Sequence, residues 1–139
     1  MTDKKLIYDV GMNNGDDTAY YLHSGYRVLA IEADPVLCTE AEGRFREAID
    51  RGDLKILNVG VAAEAGHADF WVNEEKSVWS SFDKEAAGRR GHALTRVDVP
   101  TRPFADILAE LGTPYFMKID IEGNDQLCLD ALHEAPRPE

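Results

Sequence analysis

The sequence predicts an α/β protein, a mostly parallel sheet with helices on both faces. Three observations carry that prediction. A short apolar run, Leu6 to Val10, feeds into a turn with glycines at 11 and 15, and Asp16-Asp17-Thr18 then opens a helical pattern. A second run, Arg27 to Ala33, is followed by Asp34-Pro35, a capping acid before a proline at the first helical position. A third run begins at Leu54, so strands and helices alternate as in a sheet wound by right-handed crossovers.

Each element has its own signal. Leu6–Val10 reads as the first strand, and Asp16–Ser24 as a helix that Gly25 terminates. After the second strand, Leu37, Ala41, Phe45 and Ala48/Ile49 recur at helical spacing, and Gly52 closes that helix. Leu54–Ala62 reads as one continuous third strand. Ala68, Phe70 and Val72 then alternate with Asp69, Trp71 and Asn73, the mark of a strand with one wet face. Glu74 to Arg96 has weak periodicity and reads as a long loop, functional or mobile, before a short strand at Arg96–Val99. Phe104, Ile107, Leu108 and Leu111 form a helical stripe between Pro103 and Gly112. Tyr115–Ile121 is the last strand, Asn124–His133 a helix, and residues 135–139 a frayed tail.

Composition narrows the class. The 139 residues suit a single domain with a real core, and 44% hydrophobic with 29% charged residues is a globular balance. A formal charge of -11 disfavours nucleic acid and anionic membranes, whose phosphates need clustered Lys and Arg. A small-molecule substrate is expected instead. No apolar run approaches the roughly 18 residues of a membrane span, and no signal-peptide core precedes the first strand. A cytoplasmic location follows as the expectation. Cys38 and Cys128 read as reduced, buried thiols, and the four histidines show no metal-ligand spacing, so no metal is expected.

Three segments carry chemistry. The Gly11–Gly15 turn lets a ligand approach backbone at a helix N-terminus. It lacks the G-x-G-x-x-G spacing of dinucleotide sites, and Asp16 and Asp17 would repel a pyrophosphate. S-adenosylmethionine, with a sulfonium and an ammonium, suits those acids better. Glu32 stands 21 positions after Gly11, close to the roughly 20 expected of a ribose-binding carboxylate. In Lys118-Ile119-Asp120-Ile121-Glu122-Gly123, carboxylates interrupt a buried strand, and Asp120 and Glu122 share a face at the strand's carboxyl end. Plainer readings stand beside these: a tight turn with capping acids, a solvated acid at a strand end, and a buried Lys118–acid pair.

Taken in order, Asp9-Val10-Gly11-x-Asn13-x-Gly15-x-x-Thr18, Glu32-x-Asp34-Pro35 and Lys118-Ile119-Asp120-Ile121-Glu122-Gly123 resemble the FkbM-type methyltransferases. The resemblance covers nearly the whole chain. It implies a Rossmann-like class I methyltransferase fold and methyl transfer from S-adenosylmethionine to hydroxyls of small molecules such as sugars or natural products. On that basis Asp9, Gly11, Asn13, Asn14, Gly15 and Thr18 serve the methionine end of the cofactor, Glu32 the ribose, and backbone near Val61 the adenine. Asp120 is the leading general base or a ligand of the cofactor's amino group, with Glu122 in reserve. Ser80 and Ser81 would close over the site, with Trp79 and Phe82 as a lid or as ordinary core. Two departures stand out. Asp125 replaces a usual Glu, and the family's sheet normally continues, whereas here only strands in the order 3-2-1-4 and an insertion are present. The last strand is then expected to have an open edge, covered by a second copy, the C-terminal segment or a loop. A cofactor-binding module without turnover is the alternative, and a dinucleotide oxidoreductase is disfavoured by the missing glycine pattern.

Overall fold

The chain is described by a computed structural model over residues 4–75, 80–88 and 91–121. Its first strand, β1 (Leu6–Val10), is central to a parallel sheet. It pairs with β2 (Arg27–Ile31) on one side and with β7 (Phe116–Ile119) on the other, and β2 pairs with β3 (Leu54–Leu57). The order β3-β2-β1-β7 is the 3-2-1-4 arrangement expected from the sequence. Among the described residues, the far side of β7 meets no strand.

Alternation along the strands sends side chains to two cores. Val28 and Ala30 face Ala41 of α2 (Pro35–Arg44), Ala48 of α3 (Arg46–Arg51), and Tyr21 and Leu22 of α1 (Asp16–His23). Leu29 and Ile31, with Tyr8 and Val10, face Phe104, Ile107 and Leu108 of α5 (Phe104–Leu111). Helices therefore cover both faces, and the Tyr8 and Phe104 rings meet edge-on at 6.1 Å. The Tyr8 hydroxyl donates to the Gly112 carbonyl that ends α5, so this buried phenol is satisfied. Asp34 caps α2 as its sequence context predicts, accepting from the Val36 N–H at 2.9 Å ahead of Pro35.

Three expectations are corrected. The helix read through Gly52 is two helices, broken at Phe45 (φ -110, ψ 27), whose ring turns in against Gly15. The strand read as Leu54–Ala62 stops at Leu57, and β4 (Gly60–Val61) leaves the main sheet. Its new partner is β6 (Leu94–Arg102), in a second sheet ordered β4-β6-β5 with β5 (Gly66–Asn73). The polar stretch read as a loop is accordingly shorter. β5 and β6 pair antiparallel from Gly66↔Thr101 to Asn73↔Leu94, with a short helix, α4 (Lys84–Ala87), between them. Trp79 and the helix expected at Asn124–His133 lie outside the described residues, as does Cys128.

Gly60 explains why β4 can turn away. A Cβ there would overlap the Phe82 ring, which packs on Phe70 at 5.0 Å. Gly60→Ala is therefore expected to destabilise the chain by about 1–3 kcal/mol, the usual cost of overpacking. Phe82→Leu should cost less in that background than in the wild type. Urea denaturation of both single variants and the double checks this, and strictly additive effects would refute the contact.

Candidate active site

The carboxyl ends of β1, β2 and β7 meet at one rim, where α/β sheets bind their ligands. Gly11 leaves β1 with φ 86, a left-handed conformation that favours glycine. Its N–H donates to the Ile31 carbonyl at 2.8 Å, and Met12 donates to the same oxygen at 3.2 Å. The turn is thus laid against the end of β2. It also sits against β7, because a Cβ on Gly11 would overlap the Asp120 carbonyl oxygen. Gly15, with φ 89, caps α1 where a Cβ would stand 2.9 Å from the Phe45 ring.

Glu32 closes the second side. One carboxylate oxygen accepts the Asn13 N–H at 2.8 Å and the other the Asp34 N–H at 3.0 Å. Asn13 reaches this position in a left-handed conformation, φ 52. Glu32 and the glycine turn therefore converge, as the ribose assignment requires. The carboxyl is buried, and that burial raises it above its ordinary value despite the backbone donors. An ionised carboxylate offers about four acceptor positions, so the Asn13, Asp34 and Ala33 backbone donors do not use all of them.

Sequence reasoning missed the residue that holds this loop. Asn58, just after β3, donates its side-chain amide to the Glu32 carbonyl at 3.0 Å and the Ala33 carbonyl at 2.9 Å. Its one signal is a polar residue at a strand's carboxyl end beside the Glu32 strand. Cys38 lies beneath, its thiol donating to the Glu32 carbonyl at 3.4 Å, and burial pushes it up to about 12. It stays a thiol at neutral pH.

Beneath the turn, Asp9 is fully buried. One of its oxygens accepts the Thr18 hydroxyl at 2.6 Å and the other the Lys118 ammonium at 3.1 Å. Burial raises the Asp9 carboxyl, with these two partners pulling the other way. Lys118 also reaches the Gly11 carbonyl at 3.2 Å and Asp17 at 3.1 Å. The Lys118–acid pair named among the plainer readings is thus present. Asp16 and Asp17 are not bare charges either, since Arg44 pairs with Asp16 at 3.2 Å. Even so, among the described residues the carboxylates of Asp9, Asp16, Asp17, Glu32, Asp34 and Asp120 outnumber the two cations paired at the rim, Lys118 and Arg44, which leaves it negative.

The remaining candidates fall at different distances from this centre. Asp120 follows β7 with its side chain exposed, and its N–H donates to the Val10 carbonyl at 2.8 Å. Asn14 is exposed; its side chain accepts the Asp16 N–H at 3.0 Å and its carbonyl accepts from Arg44 at 3.0 Å. Val61 is buried in the core that also holds Val10 and Ile31. Ser80 and Ser81 are buried in the second sheet, accepting the Asn73 and Asp83 N–H groups at 2.9 and 3.1 Å. Glu122 lies outside the described residues. A groove of about 710 Å³ between α1 and the α2–α3 pair is lined by no strand-end residue, so it lies apart from this rim.

Sheet order, two-sided helix cover and a strand-end site define a Rossmann-like α/β fold of the class I methyltransferase type. The chain belongs to the FkbM methyltransferase family, whose domain model, "Methyltransferase FkbM domain", matches residues 9–135. It is similar in structure to methyltransferase FkbM from Methylobacillus flagellatus KT, with a TM-score of 0.63 and 20% sequence identity. That match covers 96% of this chain and 30% of the other, so the chain spans less than a third of that relative's length. The sequence matches none of the functionally curated proteins. No helix among the described residues is long and apolar enough to cross a membrane.

Proposed function

We propose that the chain transfers a methyl group from S-adenosylmethionine to a hydroxyl oxygen of a small molecule such as a sugar or natural product. The observation that carries this reading is Glu32, whose carboxylate is held by the Asn13 and Asp34 N–H groups against the glycine turn, where it can accept from a ribose hydroxyl. Gly11, Asn13, Asn14 and Gly15 offer backbone to the methionine end, and Asp9 with Thr18 sets the floor beneath it. The negative rim suits a ligand bearing a sulfonium and an ammonium. Val61 forms part of the apolar wall on the adenine side.

When bound, the cofactor supplies an electrophilic methyl carbon whose bond to sulfur breaks as a bond to the acceptor oxygen forms. The chain's own part is alignment and proton removal. Alignment of reacting groups is worth up to about 7–11 kcal/mol, and a positioned base about 10²–10⁴-fold in rate. Asp120, exposed beside the glycine turn, is the general base in this reading, with Glu122 as reserve. Asp120→Asn is expected to lower turnover by about 10²-fold or more while leaving S-adenosylhomocysteine affinity within a few-fold. Unchanged turnover removes Asp120 from catalysis, and lost affinity with intact turnover at saturation makes it a cofactor ligand.

Because the chain spans only 30% of its solved relative, a cofactor-binding module without turnover is the second reading. Calorimetric titration with S-adenosylhomocysteine and with NAD tests the cofactor class first. A methyl-transfer assay over hydroxylated acceptors then separates enzyme from module. The side of β7 that meets no strand among the described residues is proposed to pair with a second copy of the chain, and light scattering of a monodisperse monomer would refute that pairing.

A further inference from the structure

We propose that Lys118 is a positioning residue that locks the glycine turn onto the end of β7, fixing where the cofactor's methionine end stands relative to Asp120. The inference rests on the S-adenosylmethionine reading of the site and deepens it. A lysine ammonium has three donors, and here each has an acceptor on a different element. Asp9 belongs to β1 at 3.1 Å, the Gly11 carbonyl to the turn at 3.2 Å, and Asp17 to the first turn of α1 at 3.1 Å. Lys118 itself is on β7, two residues before Asp120, whose N–H holds the Val10 carbonyl at 2.8 Å. One side chain on β7 thus joins β1, the glycine turn and α1.

Two other roles fit less well. With all three donors engaged and no lone pair, the ammonium cannot act as a base. Burial alone would lower its pKa, but the attraction of Asp9 and the hydrogen bonds it donates to Asp17 and Asp9 hold it above the ordinary lysine value. A counter-ion for buried Asp9 would need only the Asp9 contact. The further reach to the Gly11 carbonyl and to Asp17 is what a lock requires and a counter-ion does not.

The test compares Lys118→Met, Asp17→Asn and the double variant Asp9→Asn/Lys118→Met, each as the full chain. Hydrogen exchange without ligand and calorimetric titration with S-adenosylhomocysteine are the two readouts. For Lys118→Met, exchange of amides in residues 11–18 should rise by about tenfold or more while β2 and β3 keep their protection. Affinity should fall by about tenfold or more, and Asp17→Asn should show a smaller fall in the same direction. The double variant has no buried charge left uncompensated, so it carries the test if Lys118→Met does not fold. In that variant a lock leaves exchange in residues 11–18 raised, whereas a mere counter-ion role predicts recovery to wild-type protection and overturns the proposal. Unchanged exchange in the turn also overturns it. Should wild-type chain bind no S-adenosylhomocysteine, the cofactor reading fails, and the exchange pattern alone then decides whether the lock exists.

Discussion

Glu32→Gln is expected to weaken S-adenosylhomocysteine binding by about 100-fold or more, because two hydrogen bonds to a charged acceptor are worth about 1.5–3 kcal/mol each. The amide keeps one acceptor oxygen, but its NH2 faces either the Asn13 or the Asp34 N–H, donor against donor. The fold should survive the change. Removing a buried charge relieves its desolvation, which offsets part of the lost backbone bonds. Calorimetry gives the affinity and circular dichroism the fold; retained affinity would remove Glu32 from the cofactor site. A pH dependence follows with a definite sign. Burial raises the Glu32 carboxyl above its ordinary value, so the unliganded fold loses stability from this group as pH rises through the raised value. Ribose hydroxyls donate to the ionised form, so protons compete with the ligand. Affinity should therefore fall on acidification through the raised value, and should stay flat in Glu32→Gln.

Gly11→Ala is expected to be the most damaging single substitution at the rim, costing more than about 3 kcal/mol of stability. Two penalties coincide there. Alanine at φ 86 is strained by roughly 1–2 kcal/mol, and its Cβ would overlap the Asp120 carbonyl oxygen. That neighbour is backbone directly after β7, held by the Asp120 N–H bond to the Val10 carbonyl, and cannot rotate aside. Relief would require β1 and β7 to part and the Asp120 N–H to lose the Val10 carbonyl. Urea denaturation should show a midpoint shift large enough to leave a partly unfolded chain at room temperature. A loss under 1 kcal/mol, on the order of an ordinary surface change, would mean that the turn does not rest on β7.

Local signals made much of the main sheet legible. Apolar runs, the Asp34-Pro35 cap and glycines at 25, 52 and 112 mark where β1, β2, α1, α2 and α5 start or stop, and each signal acts within a few residues. The β3-β2-β1-β7 order was legible through family resemblance, not periodicity. What escaped was tertiary in origin. Leu54–Ala62 is apolar almost throughout, and its break depends on Asn58 gripping the Glu32 and Ala33 carbonyls and on Phe82 filling the space over Gly60. The β5–β6 ladder escaped because its stabilising pairs are diagonal. Asp69 and Asp98 stand directly opposite, a repulsive pair relieved by Arg96 reaching Asp69 at 2.8 Å and His67 reaching Asp98 at 3.2 Å. Those partners appear only once the register is known. At the site, residue types pointed to this rim but not to which side chains hold one another. Asp9 and Thr18 spend their polar atoms on each other and on Lys118, and Asn58 carried no motif.

The pairing of β1 with β7 brings Ile7 opposite Phe116 and Val10 opposite Ile119, joining opposite ends of the described chain. During synthesis, which adds about 5–20 residues each second, the first strand therefore waits several seconds for its neighbour. Until then Asp9 lacks Lys118 and the Gly11 bend lacks the Asp120 backbone beside it. Long-range parallel pairing of this kind is slow to nucleate, and the waiting strand is sticky. The rim thus matures only after β7 has been made, and nascent chains arrested before residue 116 should be captured by chaperones.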